Sequence, residues 1–216
     1  MRNKHDSNKG EAVLPSPSEG KSIALARWIS RYSNPFYIAP LLYLIVALAS
    51  APKVIQGLLW WGIIGLGVTV TPLLFIRRGV RLGHYSDHHV SKREERLIPL
   101  LISVGCMGIV MAVLVLMNAS NDLMGAMTAM ILAFILALLI THWASWKISI
   151  HLIGIAGAIS TLALLMNPFF WLLSPCIILV GWSRWMVNAH TPLQVCAGTL
   201  LGSGVTVVVF AFFGLL

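Results

Sequence analysis

The sequence predicts an all-α, polytopic integral membrane protein, a helical bundle of six to seven transmembrane helices. Two observations predict it. Hydrophobic residues make up 58% of the chain and charged residues only 10%, against roughly 25% charged in a soluble domain. The apolar residues also fall in runs near the ~20 positions that cross a bilayer as a helix. Seven such segments are present: 36–51, 58–76, 97–117, 123–143, 149–166, 169–186 and 192–215. They place a disordered polar tail at 1–22 ahead of a transmembrane domain at 23–216.

Residues 1–22 mix Asn, Ser, Pro, Glu and Lys with too few apolar side chains to order themselves. No apolar core precedes a small-residue cleavage site there, so no cleaved signal peptide is expected. From Ser22 to Ser33, Ile23, Leu25, Ala26, Trp28 and Ile29 alternate with Arg27 and Arg31 behind Lys21. This is the pattern of a short interfacial helix with a basic face and a Trp anchor, or equally of a plain lead-in to the membrane. Asn34-Pro35 breaks it. Segment 36–51 is short, holds Pro40 and is closed by Pro52, so it reads as tilted or re-entrant as readily as spanning. Glycines in the later segments (Gly62, Gly65 and Gly67; Gly105 and Gly108; Gly154 and Gly157) read as helix-packing positions, as does the GxxxG step Gly198/Gly202. Cys106, Cys176 and Cys196 all lie in apolar segments and read as small core residues, not as a disulfide or a metal set.

The formal charge of +8 reports topology, not nucleic-acid binding. One long polar connection exists, from Arg77 to Arg96. Threading the segments alternately through a bilayer puts the tail, this loop, the turn with Lys147 and the junction with Arg184 on one face. Lys53 stands alone on the other, so 14 of the 15 Lys and Arg residues share a side. Setting aside Lys92, Arg96, Lys147 and Arg184 as candidates for chemistry still leaves ten against one. The positive-inside rule makes that side cytoplasmic, in what is expected to be the plasma membrane. Six histidines (His84, His88, His89, His142, His151 and His190) segregate to the same face. Taken singly, His84, His88 and His142 read as interfacial polar residues. His151 and His190 have more telling surroundings.

At the last junction, Ser183-Arg184 is followed by five residues, His190 and then a proline-led helix, in Gly181-Trp182-Ser183-Arg184-Trp185-Met186-Val187-Asn188-Ala189-His190-Thr191-Pro192. At the start of the fifth segment, Lys147-Ile148-Ser149-Ile150-His151 sets a serine two positions before a histidine. In the long loop, Lys92-Arg93-Glu94-Glu95-Arg96-Leu97-Ile98-Pro99 sets two cations four apart, on one face if helical. These three stretches resemble the signatures of the type-2 phosphatidic acid phosphatase superfamily over about residues 92–216. The third signature, SRxxxxxHxxxD, is matched except that Gln194 stands at the Asp. The second, PSGH, is matched as Ser-x-His, with isoleucine at both the Pro and the Gly. The first, K-x6-R-P, is matched in residue type only: seven before Arg96 is His89, and Pro99 follows by three.

The resemblance implies His190 as the nucleophile on phosphorus and His151 as the general acid on the leaving alkoxide. It implies Arg184, Arg96 and Lys92 as the phosphate clamp, assisted by Lys147 and by the hydroxyls of Ser149 and Ser183, with Gln194 orienting His190. It also implies a lipid phosphate substrate and neither metal nor cofactor. The chemistry suits these residue types. Phosphoryl transfer needs positioning and charge neutralisation, arginine grips phosphate oxygens bidentately, and neutral imidazole is a usable nucleophile. The amide of Gln194 can accept a ring N–H but carries no charge, and in a serine-protease triad the comparable Asp-to-amide change costs roughly 10⁴ in rate. Either Asp87, Glu94 or Glu95 supplies a carboxylate, or the chain is a degenerate relative that binds an anionic lipid headgroup or scaffolds a partner.

Other classes fit less well. An intramembrane prenyltransferase holds Mg²⁺-diphosphate on two acidic clusters, whereas after Glu95 this chain has one acid, Asp122, on the opposite face. A transporter should carry ionisable residues in mid-span, and none of the seven segments does. Because an even number of spans separates the three stretches, Arg96, Lys147, Ser149, His151, Ser183, Arg184 and His190 are expected to converge at one membrane face.

Overall fold

Apolar length, prolines and caps decide where each helix begins and ends. The computed structural model describes residues 17–86, 95, 97–144 and 146–216, which are helical with short connections. Helix α1 (Pro17–Tyr32) starts earlier than the tail assignment of 1–22 allows; the remainder of that tail lies outside the described residues. The start signal is in the sequence: a proline at the first helical position, with Ser16 before it and Glu19 three residues after that serine. Helix α2 (Pro35–Ser50) opens on Asn34, whose Oδ1 accepts the Phe36 N–H at 3.0 Å, with Pro35 presetting φ. From Gly20 onward α1 makes a 47° bend with α2, a broken span or a re-entrant pair.

Helices α3 (Val54–Ile64) and α4 (Thr71–Arg81) are joined by a six-residue π-helical stretch, Gly65–Val70, into one 28-residue span. Pro72 has no N–H to give the preceding turn. The N–H of Thr71 instead reaches five residues back to the Leu66 carbonyl, which also accepts the Thr71 hydroxyl at 2.8 Å. The span outruns the expected 58–76 because Arg77, Arg78 and Arg81 are exposed and helix-compatible. The chain turns only at Gly83, where φ is +76°. Then follow α5 (Leu97–Leu116), α6 (Asn121–Trp143), α7 (Ile150–Leu165), a 3₁₀ stretch Pro168–Leu173, α8 (Ser174–Met186) and α9 (Pro192–Phe213).

Among the described residues, five helical stretches are long and apolar enough to cross a membrane, and a sixth if the bent α1–α2 pair counts as one span. Large apolar side chains such as Ile178, Leu200 and Phe212 face outward, as a lipid solvent permits. Helix α7, expected to span as 149–166, is only 16 residues long. It is the central helix, contacting α2, α6, α8 and α9, and is buried along most of its length. Its tightest partner is α9. A Cβ on Gly198 would lie 2.7 Å from the Ser149 carbonyl oxygen, and one on Gly202 would lie 2.5 Å from that of Ile153. The glycine step thus brings two backbones into contact where no hydrophobic effect drives association.

Candidate functional site

Helix α8 ends in a turn that determines where Arg184 and His190 stand. Asn188 adopts φ of +52°, a left-handed conformation that asparagine tolerates better than most residues. Asn188 N–H donates to the Trp185 carbonyl at 2.9 Å and Ala189 N–H to the Arg184 carbonyl at 3.0 Å, the paired bonds of a Schellman motif. His190 N–H donates to that same Arg184 carbonyl at 3.2 Å. Five intervening residues are therefore what this turn needs to carry the chain from the arginine back to the histidine.

Helix α9 begins at once. Thr191 is its N-cap, and Gln194 closes a capping box: the Thr191 hydroxyl accepts the Gln194 N–H at 3.4 Å, and Gln194 Oε1 accepts the Thr191 N–H at 3.2 Å. Gln194 Oε1 also lies 3.1 Å from His190 Nδ1. An atom that accepts a backbone N–H is the amide oxygen, so His190 Nδ1 must be the donor. In the neutral imidazole that leaves the lone pair on Nε2.

His151 sits in the first turn of α7 and is buried, as are Arg184 and His190. All three line one cavity of about 150 Å³. Arg184 Nη1 donates to the hydroxyl of Ser30 on α1, so the buried guanidinium is held by a neutral acceptor. Ser30 was not singled out from the sequence. The available signal was the spacing of Ala26, Ser30 and Ser33, which share one helical face; all three are buried while Leu25, Trp28 and Tyr32 are exposed.

The other candidates stand beside this group. The Ser183 hydroxyl is fully buried and donates to the Val180 carbonyl at 2.8 Å. Ser149 is fully buried against Gly198, and its Oγ has no hydrogen-bond partner among the described residues. Neither hydroxyl lines the cavity. Lys147 is half-buried in the segment before α7. Arg96 and Lys92 lie outside the described residues, as do His88, His89, Asp87 and Glu94. Glu95 Oε2 accepts the N–H and hydroxyl of Ser86, at 2.8 and 3.0 Å, which ties together the two ends of the loop. His84 and His142 are exposed. Among the described residues no three His, Cys, Asp or Glu side chains come together to hold a metal ion.

The arrangement places a guanidinium and two imidazoles on the lining of one cavity, all three side chains buried. Compared with known protein families, characterised proteins and solved structures, the chain matches none. The fold is that of a multi-pass helical membrane protein.

Proposed function

We propose that this protein is a membrane-embedded lipid phosphate phosphatase that works without a metal and through a phosphohistidine, as its resemblance to the type-2 phosphatidic acid phosphatases implies. One observation carries the reading: Arg184, His190 and His151, from three different helix ends, are all buried and line the same cavity. Arg184 holds the non-bridging oxygens. His190 Nε2 forms a bond to phosphorus as the ester P–O bond breaks, and the electron pair stays on the leaving oxygen, which takes a proton from His151. Water then attacks phosphorus, giving its proton to His151, and the P–N bond breaks to release inorganic phosphate and restore His190. The basic excess on the motif-bearing face supports a cytoplasmic site, in the plasma membrane.

The test is phosphate release from phosphatidate, phosphatidylglycerol phosphate and an isoprenyl diphosphate, with chelator present, by purified protein and its His190→Ala variant. Release that His190→Ala abolishes is the expected result. Release that survives His190→Ala would refute the assignment of the nucleophile. The neutral Gln194 favours a second reading, a degenerate relative that binds an anionic headgroup without turnover. In that case no substrate is hydrolysed, and Arg184→Ala weakens lipid binding.

A further inference from the structure

The cavity does not end at the histidines. Its lining follows α7 from His151 to Thr161, about 15 Å at 1.5 Å per residue, or roughly half the hydrocarbon thickness of a bilayer. Beyond the histidines the walls are apolar. Small side chains on α6 and α7, among them Ala129, Ala133 and Ala158, open the space, and Met107 and Leu42 flank it. Three of the four hydroxyls on these walls, all but that of Thr161, donate to backbone carbonyls: Tyr43 to Ala126 at 3.1 Å, Ser103 to Pro99 at 2.8 Å and Thr206 to Gly202 at 2.8 Å. The surface they leave can be wetted by hydrocarbon and offers little to a polar ligand.

We propose that this well receives the hydrocarbon tail of a phosphate-headed amphiphile with a single chain, whose headgroup rests at Arg184, His190 and His151. The inference rests on reading those three residues as a phosphate site. The volume argues for one chain. A cavity of about 150 Å³ is the size that takes up one benzene, so beside a headgroup it admits the first few carbons of one tail and has no space for a second chain alongside. A prenyl phosphate and a lysophosphatidate share this chemistry; a two-chain phosphatidate does not.

The experiment reads binding, not turnover. The full-length protein in detergent is photolysed with an alkyl phosphate carrying a diazirine at the end of its tail, and adducts are mapped by mass spectrometry. Adducts are expected on α5, α6 and α7 near Met107, Ala133 and Ala158. Adducts confined to outward-facing residues such as Ile109, Leu200 or Phe212 would overturn the proposal. Ala133→Leu, which fills the well, should lower labelling about tenfold, as expected from excluding roughly two methylenes. Should that variant not fold, the unaltered protein decides: affinity for alkyl phosphates should rise about fourfold per methylene and then level off, and no dependence on length refutes the well. Farnesyl phosphate or lysophosphatidate should displace the probe, and the stronger competitor identifies the source of the chain. Equal displacement by dioleoyl phosphatidate would refute the single-chain clause. Failure of the phosphatase reading looks different, since labelling persists and phosphate is not released.

Discussion

The carbonyl oxygen of Arg184 accepts the backbone N–H of His190 at 3.2 Å, so the cation and the imidazole of the site are joined by a main-chain bond. Their separation is a property of one turn, insulated from motions of α8 against α9. Asn188 pays the conformational cost of that turn. Asn188→Gly should therefore be tolerated, while Asn188→Val, a β-branched residue at positive φ, should cost about 1–3 kcal/mol and lower turnover along with stability. Thermal unfolding and phosphate release measured on the same preparations check this.

Gln194 both caps α9 and orients His190. Glutamate keeps the reach required by the capping box and adds a charge that stabilises imidazolium and favours the helix N-terminus. Gln194→Glu should raise phosphate release by at least about tenfold, toward the roughly 10⁴ that a charged partner contributes in a serine-protease triad. Gln194→Leu, which loses both bonds, should lower it. Equal activity in all three proteins would remove Gln194 from the orienting role.

Ser30 acts through Arg184. A hydrogen bond to a charged group contributes about 1.5–3 kcal/mol, so Ser30→Ala should lower kcat/KM by about tenfold or more, and Ser30→Thr should restore most of it. A change confined to thermal stability would mean that Ser30 only packs α1 on α8.

Gly202 and Gly204 lie two residues apart on α9 but in different surroundings. A Cβ on Gly202 meets backbone at 2.5 Å, whereas one on Gly204 meets nothing within 4 Å. Gly202→Ala should destabilise by about 1–3 kcal/mol through overpacking. Gly204→Ala should be neutral or stabilising by up to about 1 kcal/mol. Unfolding midpoints of the two variants test the seam between α7 and α9.

Each Lys or Arg beside an anionic cytoplasmic leaflet contributes about 1 kcal/mol to orientation. In a background with Cys106, Cys176 and Cys196 replaced by alanine, His84→Cys should resist an impermeant thiol reagent in intact cells, and Lys53→Cys should react. The reverse pattern would invert the topology.

Composition and apolar run length alone determine that this chain is a membrane-embedded helical bundle, because a bilayer accepts few other ways of satisfying a backbone. The sequence also marks Arg184, His190 and His151, since polar residues between apolar helices stand out against their neighbours. Other features needed the third dimension. The 47° break before α2 and the π-helical stretch before Pro72 are adjustments to prolines whose size the sequence does not state. The sequence does not show that the Ser183 hydroxyl donates to Val180 in its own helix while Ser149 Oγ has no partner among the described residues, because that depends on which acceptors packing brings near. Ser30 and the apolar well arise from helices distant in the chain, α1 against α8 and α2 against α5, α6 and α7. Which small residues face a cavity and which face a neighbouring backbone depends on how whole helices pack, and no local pattern encodes that.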